Sequence, residues 1–273
     1  MCATVRFERC CMLKWFFHDQ LQLGLAQSAV AALVAMVVVP LARRRGIHLE
    51  GDALIAMARG LVQIIAVGSI LLILLRGPKW TSVFLLIAMI VAAGATSARR
   101  AKGMPGAFQV SVWAIACGAG SVIALMTWLG VIDTEITALV PVGSMLIANA
   151  MNTNGLALNR LHADVLAHSG EIETALALGA EAKTSVSPYV QASCEASLIP
   201  AIDSLRSLGI VWIPGLMAGM LLSGARPVYA AIYQFVVLAM IFAASGITSL
   251  VSTLLIRARL FTSAEQLILQ PGR

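Results

Sequence analysis

The chain has 273 residues, 59% of them hydrophobic and only 12% charged, with 19 Lys and Arg against 13 Asp and Glu. Ordinary soluble domains carry about 25% charged residues, so a soluble globule is excluded. A chain with mean hydropathy +0.89 also has too much apolar surface to remain disordered, which leaves an all-α polytopic membrane protein.

The charges are absent from seven stretches, 20–42, 60–75, 80–98, 103–132, 136–159, 207–225 and 227–256. A helix rises ~1.5 Å per residue, so a ~30 Å hydrocarbon layer needs about 20 apolar residues. In chain order this predicts a tail over 1–20, then spans over about 21–42, 53–75, 80–98, 108–130 and 137–159. A long loop over 160–206 follows, with room for two or three helices, then spans over about 207–223 and 229–256 and a tail over 261–273. The second span reaches full length only if it includes Arg59, whose head then snorkels to the interface. The first apolar run ends in Pro40 and Arg43, Arg44 and Arg45 with no small-residue cleavage site, which reads as an uncleaved first helix. A start at Met12 would shorten the tail, and an intact mass decides between the two.

Short cytoplasmic loops retain Lys and Arg. With the N-terminus outside, the inside positions are Arg43, Arg44, Arg45, Arg59, Arg99, Arg100, Lys102, Arg160, Lys183, Arg206, Arg257, Arg259 and Arg273. The outside set is smaller: Arg6, Arg9, Lys14, Arg76, Lys79 and Arg226. The favoured topology therefore has an outside N-terminus and a cytoplasmic C-terminus. The pI near 9.4 then reflects topology, and no basic stripe with interleaved aromatics suggests a nucleic-acid partner. The loop over 160–206 holds Asp164, Glu171, Glu173, Glu181, Glu195 and Asp203, a mixed-charge surface suited to a protein partner as well as the bilayer.

No phosphate loop, zinc-protease or nucleophile-elbow motif occurs, so no catalytic residue is assigned. The histidines His18, His48, His162 and His168 fall outside the spans, and Cys2, Cys10, Cys11, Cys117 and Cys194 form no C-x-x-C pair, so no metal site or cofactor is assigned to the chain. The expected spans hold no Asp, Glu or His, which removes the proton relays that pumps place there. A translocator of this kind takes its energy from a partner docked on the long loop. In that loop Ile172, Ala175 and Leu176 share one side of a short helix closed by Gly179. Asn149, Asn152, Asn154 and Asn159 either line a path or join helices, and Gly215 and Gly219, extended by Ser223, form a helix-packing face. Met145, Met151, Met217 and Met220 offer thioethers to a passing metal or serve as apolar filler.

Several of these segments resemble the FetB-type family of ABC transporter permeases, bacterial iron exporters related to the plant STAR-type aluminium-tolerance permeases. They are Arg59 to Gln63, Gly143 to Met151, Glu173 to Ala180 in the E-x-A-x-x-x-G spacing of a coupling loop, Leu198 to Ser204, Ile213 to Met220, Gly224-Ala225 and Tyr233-Gln234. The resemblance implies a permease domain over 21–260 in a bacterial inner membrane, exporting iron or another metal. It also implies a homodimer and a separate cytoplasmic ATPase subunit that binds the ATP. Glu173, Ala175 and Gly179 would engage that ATPase. Asn149 and Asp203, the latter at the inside mouth of the sixth span, would lie on the path or its gate. Two alternatives are a permease for an organic substrate such as a nucleotide sugar, and a membrane-embedded enzyme or scaffold without transport.

Overall fold

The computed structural model describes residues 20–37, 40, 44, 50–74, 80–101, 103–262 and 265–269. The N-terminal tail to residue 19, with Cys2, Cys10 and Cys11, lies outside the described residues, as do Arg43, Arg45, the connection 75–79 and the last four residues. The described chain is almost wholly helical and separates into two compact units, Met1–Arg76 and Gly77–Arg273.

The first unit holds α1 (Gln20–Met36) and α2 (Glu50–Leu74). Small residues of both helices, including Ser28, Ala31, Ala32, Ala58 and Gly60, line with Met36 and Met57 a cleft of about 500 Å³.

The second unit begins with α3 (Trp80–Arg100). Next comes a rod made of α4 (Ala107–Ile115), a π-helical turn over Ala116–Gly120 and α5 (Ser121–Trp128). After it come α6 (Ile136–Ala167), α7 (Ser169–Ala177), α8 (Ala182–Ser185), α9 (Ser187–Ser207), α10 (Gly215–Leu222) and α11 (Pro227–Arg257). Among the described residues four helical rods are long and apolar enough to cross a membrane: α3, Ala107–Trp128, α6 and α11. Missing side chains let the rods approach. A Cβ on Gly118, in the π-helical turn, would collide with Thr248 Oγ1 and sit 2.6 Å from the Ala244 carbonyl. One on Gly143 would meet Leu86 at 2.8 Å.

The core forms two clusters along these rods. One joins Leu86, Ile123, Leu146, Val237 and Ile241; the other, at the α7 end, joins Met104, Leu158, Leu161, Ile172, Val190 and Ile256. Helix α9 connects them, with Val190 in the α7-end cluster and Leu205 packed on the far one, followed by Leu208. It therefore runs the length of the bundle against α6 and α11 instead of lying in a loop.

This revises the expected division of 160–223. The stretch 207–223 is not one helix: Gly209, at φ 75°, turns the chain, its N–H donates to the Trp212 carbonyl at 3.2 Å, and extended Pro214 precedes an α10 of only eight residues. Asp203 consequently sits toward the far end from α7, not at the α7-side mouth. The expectation of an uncharged sixth span also fails for the helix that runs here, because α9 carries Glu195, Asp203 and Arg206.

Asn154 ties three rods together. Buried on α6, it donates from Nδ2 to Ser97 Oγ of α3 at 2.7 Å and lies 2.8 Å from Ser111 Oγ of α4. Asn149 donates only to the Met145 carbonyl of its own helix, at 2.8 Å. Replacing a buried hydrogen-bonding group and orphaning its partners costs about 1–3 kcal/mol. Asn154→Leu is expected to lower the unfolding midpoint in detergent by several degrees, with Asn149→Leu close to the parent, as read by thermal-shift measurements on the purified protein.

Candidate functional site

Three features fall where function was expected: the short helix α7, the open face of α6 and the segment from α9 to α10.

Helix α7 is pinned on one side and free on the other. Ile172 is buried in the α7-end cluster and Leu176 packs beside it. Tyr189 donates its hydroxyl proton to Glu171 Oε2 at 3.0 Å, and its ring stacks on His168 with centroids 4.8 Å apart. His168 in turn donates from Nδ1 to the Asp164 carbonyl at 2.8 Å, and Asp164 holds Arg160 at 3.0 Å. These contacts fix α7 to the end of α6 and the start of α9. The helix ends in a Schellman turn: Gly179 sits at φ 88°, its N–H donates to the Leu176 carbonyl, and the Ala180 N–H donates to the Ala175 carbonyl, both at 3.0 Å. Glu173, Thr174 and Ala177 are exposed, Ala175 is half-buried, and Leu178 stands 84% exposed at the helix end. The fixed turn thus holds an apolar side chain out in the open.

On α6 the asparagines divide by face. Asn154 points inward and joins helices, whereas Asn152 and Asn159 are exposed and Asn149 is half-buried. Ser144, Met145, Ala148 and Met151 lie on the same open face at helical spacing. Arg100, the last residue of α3, reaches this face and donates from Nη1 to Asn152 Oδ1 at 3.3 Å. The open face thus gathers Asn149, Met145 and Met151 while excluding Asn154.

Asp203 is exposed on α9, 3.9 Å from Arg206. Met217 and Met220 are half-buried on α10, which has no buried residue. A Cβ at Gly215 or Gly219 would meet no atom within 4 Å, so none of the described residues closes on their small face. Among the described residues no group of three or more His, Cys, Asp or Glu side chains converges as a metal site.

Sequence reasoning missed the role of α9 and the polar seam beneath it. Ser193 and Ser197, one turn apart, are buried, and Ser197 Oγ meets Ser249 Oγ of α11 at 2.7 Å. Ser249 also donates to Cys194 Sγ at 3.3 Å. The spacing of Ser193 and Ser197, matched by Ser245, Ser249 and Ser252 on α11, is the small-residue signal that marks two helices packed closely in a membrane.

Residues 25–261 match the family described as Uncharacterised protein family (UPF0014). Among curated proteins the chain is 32% identical to the UPF0014 membrane protein STAR2 of Oryza sativa subsp. japonica, across 92% of this chain and 88% of the relative. It is 31% identical to Protein ALUMINUM SENSITIVE 3 of Arabidopsis thaliana, across 93% and 96% of the two chains. With the Probable iron export permease protein FetB of Escherichia coli (strain K12) the identity is 30%, across 88% and 93%. No solved structure matches the chain.

The two sides of α7 make opposite predictions for stability. Ile172→Glu places a charge in the buried α7-end cluster and should cost at least about 3 kcal/mol. Leu178→Glu changes a side chain that packs on nothing and should leave the melting temperature within about a degree of the parent. Thermal unfolding of both purified variants reads the contrast.

Proposed function

The chain belongs to the UPF0014 family of membrane proteins, and from that premise we propose that it is the membrane-spanning subunit of an ATP-driven transporter exporting iron or another metal ion. The relative named as a probable iron export permease aligns along nearly the whole of both chains, which supports a transport subunit rather than an enzyme. ATP is hydrolysed in a separate cytoplasmic subunit. Two copies of the permease serve the two ATPase subunits that close on each other around ATP.

The observation that carries this reading is the mounting of α7. An energy-coupling helix must be rigidly joined to the membrane bundle and must also offer a free surface to the subunit that moves it. Ile172 and the Tyr189 to Glu171 hydrogen bond supply the joint. Glu173, the Gly179 turn and Leu178 supply the surface. On this reading α7 is cytoplasmic, the N-terminus is outside, and the cell membrane of a bacterium is the setting. With α9 crossing the bundle, Arg206 moves to the outer side, and most Lys and Arg still lie on the cytoplasmic side.

The open face of α6, with Asn149, Asn152, Met145 and Met151, is the first candidate wall of the path. Asparagine amides and thioethers replace part of the water around a metal ion without trapping it as a carboxylate cage would. The small face of Gly215 and Gly219, on which none of the described residues packs, suits close approach by a second copy.

Co-purification tests the coupling. An ATPase subunit co-expressed with the tagged permease should be retained by the parent and lost from Glu173→Ala combined with Gly179→Pro. Leu178→Glu, which spares the helix itself, should weaken retention by at least about tenfold, the loss of a well-packed anchor of ~1.4 kcal/mol or more. Undiminished retention by both variants contradicts the assignment of α7.

A further inference from the structure

The depth of α9 follows from one hydrogen bond. Helices α9 and α11 run antiparallel, with Val190 in the same cluster as Ile256 and Leu205 in the cluster of Val237, and Ser197 faces Ser249 at 2.7 Å. Arg257 ends the charge-free stretch of α11 and marks the edge of the hydrocarbon. Ser249 lies eight residues before it, so this pair sits ~12 Å inside that edge at ~1.5 Å per residue. Glu195 is then ~9 Å deep and Asp203 ~21 Å deep, both within a ~30 Å hydrocarbon layer.

Both carboxylates are on the open side of the helix. Gln191, Glu195, Ile199 and Asp203 recur every fourth residue and are all exposed, while Ser193 and Ser197 are buried on the opposite side. The Asp203 and Arg206 side chains are 62% and 77% exposed and 3.9 Å apart. Glu195 has no ion-pair partner among the described residues. An ionised carboxylate facing lipid at these depths is strongly disfavoured, and such residues in known membrane proteins face water or protein. The neighbouring helix α6, packed on α9, also exposes a polar side chain within its charge-free stretch, Asn152.

We propose that the open face of α9 is the wall of a water-filled path through the membrane, and that Glu195 and Asp203 give this wall a preference for cations. The proposal rests on the transport reading above and deepens it by naming the face and the residues that meet the cargo. Carboxylates ~12 Å apart along one face, eight residues on a helix, hold a hydrated cation in successive steps without enclosing it, which suits passage better than storage. Arg206, beside Asp203, keeps that end from holding a cation tightly.

The test uses the full chain in its membrane, with the native cysteines replaced and single cysteines placed at Gln191, Glu195, Ile199 and Asp203. Phe235→Cys and Phe242→Cys, exposed on apolar α11, serve as lipid-facing controls. Only a hydrated thiol ionises to the reactive thiolate, so a charged, membrane-impermeant methanethiosulfonate should label the four α9 positions at least about tenfold faster than the controls. Manganese(II) should slow labelling of Ile199→Cys, and the slowing should vanish when Glu195→Gln and Asp203→Asn are added. Labelling of all four positions at the rate of the controls overturns the wall, because lipid or a second copy of the chain then covers the face. Slowing that persists without the two carboxylates overturns their role. Neither readout involves the ATPase, so a wet, manganese-sensitive face in a chain that binds no ATPase would refute the coupling reading and leave the wall standing.

Discussion

Every polar group carried into the hydrocarbon must find its partner within protein or in water held by protein, because lipid offers none. This constraint organises the second unit. The backbone meets it by being helical, and two buried pairs meet it between rods, Asn154 with Ser97 and Ser197 with Ser249, whereas the buried amide of Gln234 has no hydrogen-bond partner among the described residues. Close approach of the rods at Gly118 and Gly143 follows from the same constraint, since apolar side chains gain little from leaving lipid for one another and packing must come from backbone proximity. The open side of α9, where Glu195 and Asp203 are exposed, is a further place that the described residues leave unsatisfied.

The same helix links the two ends of the bundle. Its third residue, Tyr189, grips α7 through Glu171 and His168, its middle is bonded to α11 through Ser197, and Leu205 is seated in the far cluster. A displacement of α7 is therefore delivered to α9 at its first turn. The face that moves with it carries Glu195 and Asp203, so the proposed coupling surface and the proposed path wall belong to one rigid piece. The Gly209 turn and Pro214 beyond it end that piece before α10.

How much of this was legible in the sequence varies with the signal. The rods Trp80–Arg100, Ala107–Trp128, Ile136–Ala167 and Pro227–Arg257 could be read because charge avoids hydrocarbon and leaves long uncharged runs. The same logic misplaced the helix between α6 and α11. Glu195, Asp203 and Arg206 made 187–207 look like a loop, while the uncharged run after it contains Gly209 and Pro214, which break a helix. A membrane-length helix with polar residues on one side is the one most prone to this error, since hydropathy counts each of them as a penalty. The short helix ended by Gly179 was visible from its spacing and its glycine, whereas its fixation by Tyr189, ten residues beyond that glycine, was not. The asparagines of α6 were visible as a group, but only helical position separates the joining Asn154 from the open Asn152.

The account depends most on α9 crossing the membrane, with α7 and the Gly209 turn on opposite sides. Single cysteines in place of Leu178, beside the α7 turn, and Val211, in the far turn, test this in intact cells with an impermeant maleimide. The fold predicts that Val211→Cys is labelled in intact cells and Leu178→Cys only after the membrane is opened. Labelling of both positions from the same side would contradict it, returning α9 to a loop and its carboxylates to bulk water.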